Sequence, residues 1–203
     1  MDEWHNSTLY QDSKKWVIDQ LEEIDTKDPE DISKLIEFLV HSDYFDAPAS
    51  GMYHGNECGG LLTHSIRVAK QFMVVNDEMG FPVHYDSAII CGLLHDLCKI
   101  GTYKRRTNSN GSVSESYGGW ERQYEDDYGH GDKSVNIIIE QLGPKFLTKE
   151  EKYIIRWHMY NFDKNFYEHQ KFIEKYPMIR VFYACDLIAT SKDEMWGLED
   201  QKE

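Results

Sequence analysis

Residues 89–101, "IICGLLHDLCKIG", decide how this chain is read. An apolar run ends in His95, Asp96 and, three residues later, Lys99. A buried helix gains nothing by carrying an imidazole, a carboxylate and an ammonium into its packed end, because each costs free energy on burial unless it finds a partner. Either the helix surfaces here or a charged partner receives these groups. Gly101 places the helix end close by. Adjacent residues such as His95 and Asp96 point about 100° apart on an ideal helix. They therefore serve one metal, or bridge two, only near such an end.

On both sides of this segment the pattern is helical. Residues 14–24 put Val17, Ile18, Leu21 and Ile24 on one face. Asp28 is a helix cap with Pro29 at the first helical position, and Ile32, Leu35, Ile36 and Leu39 form the apolar stripe that follows. Residues 46–60, rich in Gly, Pro and Asn, read as a loop. Helices are expected over 61–79 and 85–97, from about 131 to the Gly143-Pro144 stop, and over 177–191. Thr148 with Glu151 spells a capping box for one more. Residues 103–128 change character: Asn110-Gly111 lies between stretches rich in Tyr and Thr, which reads as a short β-hairpin or a lid. The expected fold is all-α, one domain over 1–203. It comprises an N-terminal helical segment (1–50), a core (51–192) with the insert near 103–128, and a charged tail (193–203).

The chain has 36 acidic and 22 basic residues, a net charge of −14. That balance argues against a broad surface for extended nucleic acid or anionic membrane. It leaves room for a small phosphorylated substrate, since a metal or a few cations reverse the field inside a cleft. No run of about 18 apolar residues offers a membrane span. The N-terminus lacks a secretory pattern, and Cys58, Cys91, Cys98 and Cys185 form no C-x-x-C pair. The expectation is a cytoplasmic protein with reduced cysteines, Cys91 and Cys98 being buried small hydrophobes.

Several ionisable groups sit among apolar neighbours on five helical segments: His64, the His95-Asp96 pair, His130, His158 and Asp186. Singly, each has an ordinary explanation. His130 can cap its helix, and Asp186 can pair with Arg180 or Arg156. Together they form the imidazole and carboxylate set that suits Mn, Fe, Co, Ni or Zn, and converging helices are a known way to assemble one.

The order His64, His95-Asp96, Asp186 resembles the H…HD…D signature of the HD-domain metal-dependent phosphohydrolase superfamily. "GGLLTHS", "LLHDLCKIG" and "ACDLIAT" are similar to its first-histidine, His-Asp and closing-aspartate motifs, over residues 54–190. His130 and His158 resemble the additional ligands of a two-metal subgroup. No GYP-type extension is present, so hydrolysis of cyclic-di-GMP is not expected. The resemblance implies an HD-type helical bundle in which His64, His95, Asp96 and Asp186 hold one divalent ion. Asp96, His130 and His158 would hold a second.

Lys99 would receive a phosphate oxygen, with Asp96 and Lys99 as the catalytic pair, and Lys99, Lys104 and Arg105 as substrate contacts. His54 lies near the first motif and is read as a loop residue. Tyr103, Tyr117, Trp120, Trp157 and Tyr160 offer aromatic faces for a base. The implied activity is hydrolysis of a phosphoester, of a nucleotide or another small phosphorylated substrate, by metal-activated water. Two other readings share the ligand order: an HD-fold di-iron oxygenase, and a non-catalytic nucleotide-binding module.

Overall fold

The computed structural model describes residues 2–53, 55–114, 116–123 and 128–190, without the side chains of Asp2, Tyr117 and Gly118. His54, the ring of Tyr117 and the tail at 193–203 thus lie outside the described residues. Nine α-helices and one two-stranded sheet occur among those described: α1 (Asp2–His5), α2 (Thr8–Glu22), α3 (Pro29–His41), α4 (Gly60–Glu78), α5 (Tyr85–Leu94), β1 (Tyr103–Arg105), β2 (Trp120–Arg122), α6 (His130–Leu142), α7 (Lys149–Arg156), α8 (Phe166–Ile173) and α9 (Pro177–Ala189). The fold is an all-α bundle carrying a small hairpin.

Local chemistry starts the helices. Ser7 accepts the Tyr10 amide and begins α2 earlier than apolar periodicity alone predicts. Asp28 caps α3 ahead of Pro29. Thr148 and Glu151 complete both halves of the capping box on α7.

Helices α4 and α5 are the centre. In α4, Leu61, Leu62, Val68, Ala69 and Phe72 are buried, and in α5 every residue from 88 to 94 is buried. The two helices cross at Gly92. A Cβ there would lie 2.3 Å from the Ala69 Cα, so only glycine permits this approach. Across α4, Phe72 meets Phe182 of α9 edge to face, with ring centroids 5.0 Å apart. One continuous cluster of buried side chains runs from Tyr10 of α2 to Ala189 of α9.

A polar knot lies within this core. Lys27, before α3, donates to the Glu151 carboxylate at 2.7 Å, and Ser87 of α5 donates to the same group. The Lys27 and Glu151 side chains are only 6% and 1% exposed, so each depends on the other to offset lost hydration.

Besides the earlier start of α2 and the short α1 and α8, which the sequence did not announce, α5 and the hairpin differ from the sequence expectation. Helix α5 stops at Leu94, and Asp96 takes φ −107°, ψ 23°, turning the chain into a 3₁₀ segment over Leu97–Lys99. The strands β1 and β2 pair antiparallel, Tyr103 opposite Arg122 and Arg105 opposite Trp120. The Asn110-Gly111 turn closes a smaller bridge, Thr107 with Val113, rather than this ladder. Gly111 at φ +81° supplies the left-handed conformation that turn requires.

Candidate metal centre

Three backbone features converge on one point. The Gly92 crossing draws His64 of α4 toward His95 at the end of α5, so that their Nε2 atoms lie 3.2 Å apart. The break after Leu94 turns Asp96 away from the helix axis toward the same point. At the start of α6, a Cβ on Gly131 would lie 2.1 Å from the Arg156 carbonyl oxygen. Glycine there lets the turn bearing His130 close onto the end of α7, just before His158.

Asp96 divides the cluster. Its Oδ2 faces His95 Nε2 at 3.7 Å and His64 Nε2 at 3.9 Å. Asp186 Oδ1 completes that side, 3.2 Å from His64 Nε2 and 4.0 Å from His95 Nε2. The other Asp96 oxygen, Oδ1, faces His158 Nε2 at 3.7 Å. The ligating atoms of Asp96, Cys98 and His130 also lie within 4.8 Å of one another, as do those of His64, His95 and Asp96. The alternative pairing of Asp186 with Arg156 is not adopted: Arg156 binds Asp132 and Asp163 instead.

Two imidazoles are set for ligation. The Nδ1 of His95 lies 2.9 Å from the Gly92 carbonyl, and the Nδ1 of His158 lies 2.7 Å from that of Ile155. A carbonyl only accepts, so each Nδ1 carries the proton and each Nε2 presents a lone pair to the centre. His158 Nε2 is buried without a hydrogen-bond partner. An orphaned acceptor among carboxylates and imidazoles costs free energy unless a cation fills the space. The donor set therefore fits a divalent metal.

Electrostatics point the same way. Burial, with His158 and His64 adding to it against Asp96 and Asp186, lowers His95 to about 4. Burial and the Lys99 charge lower His130 to about 4. Burial alone would raise the Asp96 carboxyl, but Lys99 and the imidazoles of His95, His158 and His64 outweigh it and hold it well below the usual carboxylate range. Asp186 is likewise lowered against burial, chiefly by His64. Near neutrality the His95 and His130 imidazoles are neutral and the Asp96 and Asp186 carboxylates ionised, the states in which they bind metal.

A cleft of about 980 Å³ opens over the cluster, with His64, Asp96, His130 and Asp186 in its lining. Lys99 lines it too and is buried; burial works against its charge, yet Asp96 raises it to about 12, so it stays an ammonium. Of the basic run after Lys99, Lys104 pairs with Glu121 at 2.7 Å and Arg105 lies over the Trp120 ring, 4.2 Å from its centroid. Neither lines the cleft, whereas Arg106 and Arg122 do. Tyr103 and Trp120 contribute faces to the wall, joined by Met52, Tyr53, Phe162 and Tyr183. Trp157 belongs to a small separate apolar cluster, with Tyr160 packed against it.

The family model that describes the HD domain matches residues 61–189. The chain belongs to the HD-domain family. The match spans the helices that present His64, the His95-Asp96 pair, His130, His158 and Asp186. It joins the protein to a superfamily of metal-dependent hydrolases. No curated protein and no solved structure matches the chain.

Proposed function

We propose that this HD-domain protein is a metal-dependent phosphohydrolase acting on a nucleotide or another small phosphorylated substrate. The reading rests on one observation above all: a buried carboxylate, Asp96, whose two oxygens face different imidazoles at the floor of a cleft edged by cations. His64, His95, Asp96 and Asp186 would hold one divalent ion, and Asp96, His130 and His158 a second. When bound, such ions lower the pKa of a coordinated water and offset charge on phosphoryl oxygens.

The protein's own groups supply the rest. The Gly92 and Ile155 carbonyls keep His95 and His158 in the tautomer that offers Nε2. Lys99, charged and held beside Asp96, receives a phosphoryl oxygen as charge develops there. Arg122 and Arg106 extend this cationic wall and suit further oxygens of the same substrate. The apolar wall of Met52, Phe162 and Tyr183 suits a base or another flat organic group. Confinement to a cleft in an acidic protein favours a small substrate over extended nucleic acid.

The test pairs metal analysis of purified protein with a screen of nucleoside mono-, di- and triphosphates, cyclic nucleotides and a generic phosphodiester. Bound divalent metal together with metal-dependent release of phosphate or opening of a phosphodiester is expected. Bound iron, dioxygen consumption and no phosphoester cleavage would overturn the proposal in favour of an oxygenase.

A further inference from the structure

Cys98 reads in the sequence as a buried small hydrophobe, yet its thiol lies against the metal cluster. Its Sγ is 3.6 Å from Asp96 Oδ1, the oxygen that also faces His158 Nε2. Cys98 is 4% exposed, and its amide donates to Ser134 Oγ at 3.1 Å. Ser134 follows His130 by one turn of α6, so this bond ties the Cys98 backbone to the helix that brings His130. The Sγ, an Asp96 oxygen and a ring nitrogen of His130 all lie within 4.8 Å of one another. A second observation is independent of the cysteine: His158, 1% exposed, aims a partnerless Nε2 at that same carboxylate oxygen.

We infer that Cys98 is a ligand of the second metal, completing a site of Asp96 Oδ1, His130, His158 and a thiolate. The inference rests on the two-metal reading above and adds to it a soft donor. Zinc binds sulfur at about 2.3 Å and carboxylate oxygen at about 2.0–2.2 Å, which in a tetrahedron places the two ligand atoms roughly 3.5 Å apart. The observed 3.6 Å between Sγ and Oδ1 already matches that spacing. On coordination the S–H bond breaks, its electron pair goes to the metal and the proton passes to solvent. The thiolate biases the second site toward zinc, iron or cobalt and away from magnesium or manganese, while the first site, built of imidazole and carboxylate, keeps a broader choice. The competing arrangement is a thiol that merely donates a hydrogen bond to Asp96.

Cobalt(II) loaded into the full-length protein separates the two, because only a coordinated thiolate gives a sulfur-to-cobalt charge-transfer band in the near ultraviolet. Two cobalt ions per chain with that band are expected. Cys98→Ser and Cys98→Ala, each checked for its helical circular dichroism, should lose the band and weaken zinc at the second site by at least about tenfold. Two ions without the band, or a band that persists in both variants, overturns the role of Cys98 and leaves the two-metal reading standing. One ion per chain without the band overturns both. Should the serine variant not fold, the alanine variant and the wild-type spectrum still decide.

Discussion

Asp96 is the residue on which both halves of the cluster depend, since each of its oxygens faces a different imidazole. Asp96→Ala, and likewise His95→Ala, should lower hydrolysis by at least about a thousandfold with helical circular dichroism unchanged. Undiminished turnover in either variant would contradict the assignment. Lys99→Met should cost roughly 10²- to 10³-fold in kcat, as expected for one preorganised charge on developing oxyanions. His130→Ala should reduce bound metal from about two ions to one by elemental analysis. The ligand-type residues were legible in the sequence because imidazoles and carboxylates among apolar neighbours demand a partner. Arg106 was legible only as one member of the basic run Lys104-Arg105-Arg106, and Arg122 was not legible at all. They lie 16 residues apart on either side of a hairpin, and strands only three residues long carry no alternation from which a facing side can be read.

At the scale of elements, two glycine crossings carry the arrangement. Gly92→Ala would thrust a methyl into the Ala69 backbone, which rigid helices cannot avoid without separating. A loss of about 1–3 kcal/mol in stability, read by urea unfolding, is expected along with weaker metal binding at the His64–His95 side. Gly131→Ala meets the Arg156 and Ile155 carbonyls in the same way, and should weaken binding at the His130–His158 side. Full metal occupancy and wild-type stability in both variants would show that the crossings are not what assembles the site. The positions of the longer helices followed from apolar period, and the caps at Asp28 and Thr148 followed from residue type, whereas the short α1 and α8 were not read from the sequence. The end of α5 did not, because a 3₁₀ turn continuing an apolar run leaves no break in the pattern. That turn is what aims Asp96 and Lys99 into the cleft.

Across the whole molecule, the buried Lys27–Glu151 pair joins the segment before α3 to α5 and α7. Glu151→Ala leaves an ammonium buried without its carboxylate and should cost about 3–5 kcal/mol, measured by chemical denaturation; a loss below about 1 kcal/mol would contradict that view. The buried His95 and half-buried His130 make metal-free protein acid-sensitive. His95 and His130 sit near 4 in the fold against an ordinary 6.5. Below pH 6.5 the unfolded chain therefore takes up protons that the folded chain refuses. Stability is greatest above that point and falls as pH drops toward 4, on the order of 1 kcal/mol per pH unit for each imidazole. Thermal unfolding of metal-free protein across that range should show a falling midpoint, and a flat profile would contradict the burial of these rings. The central claim concerns convergence: ligands from helices distant in sequence meet around divalent cations. Anomalous diffraction from crystals grown with cobalt tests it most directly. Peaks on both sides of the Asp96 carboxylate, within bonding distance of His95 and His158, are predicted; side chains in the same positions with no anomalous density between them would contradict the account.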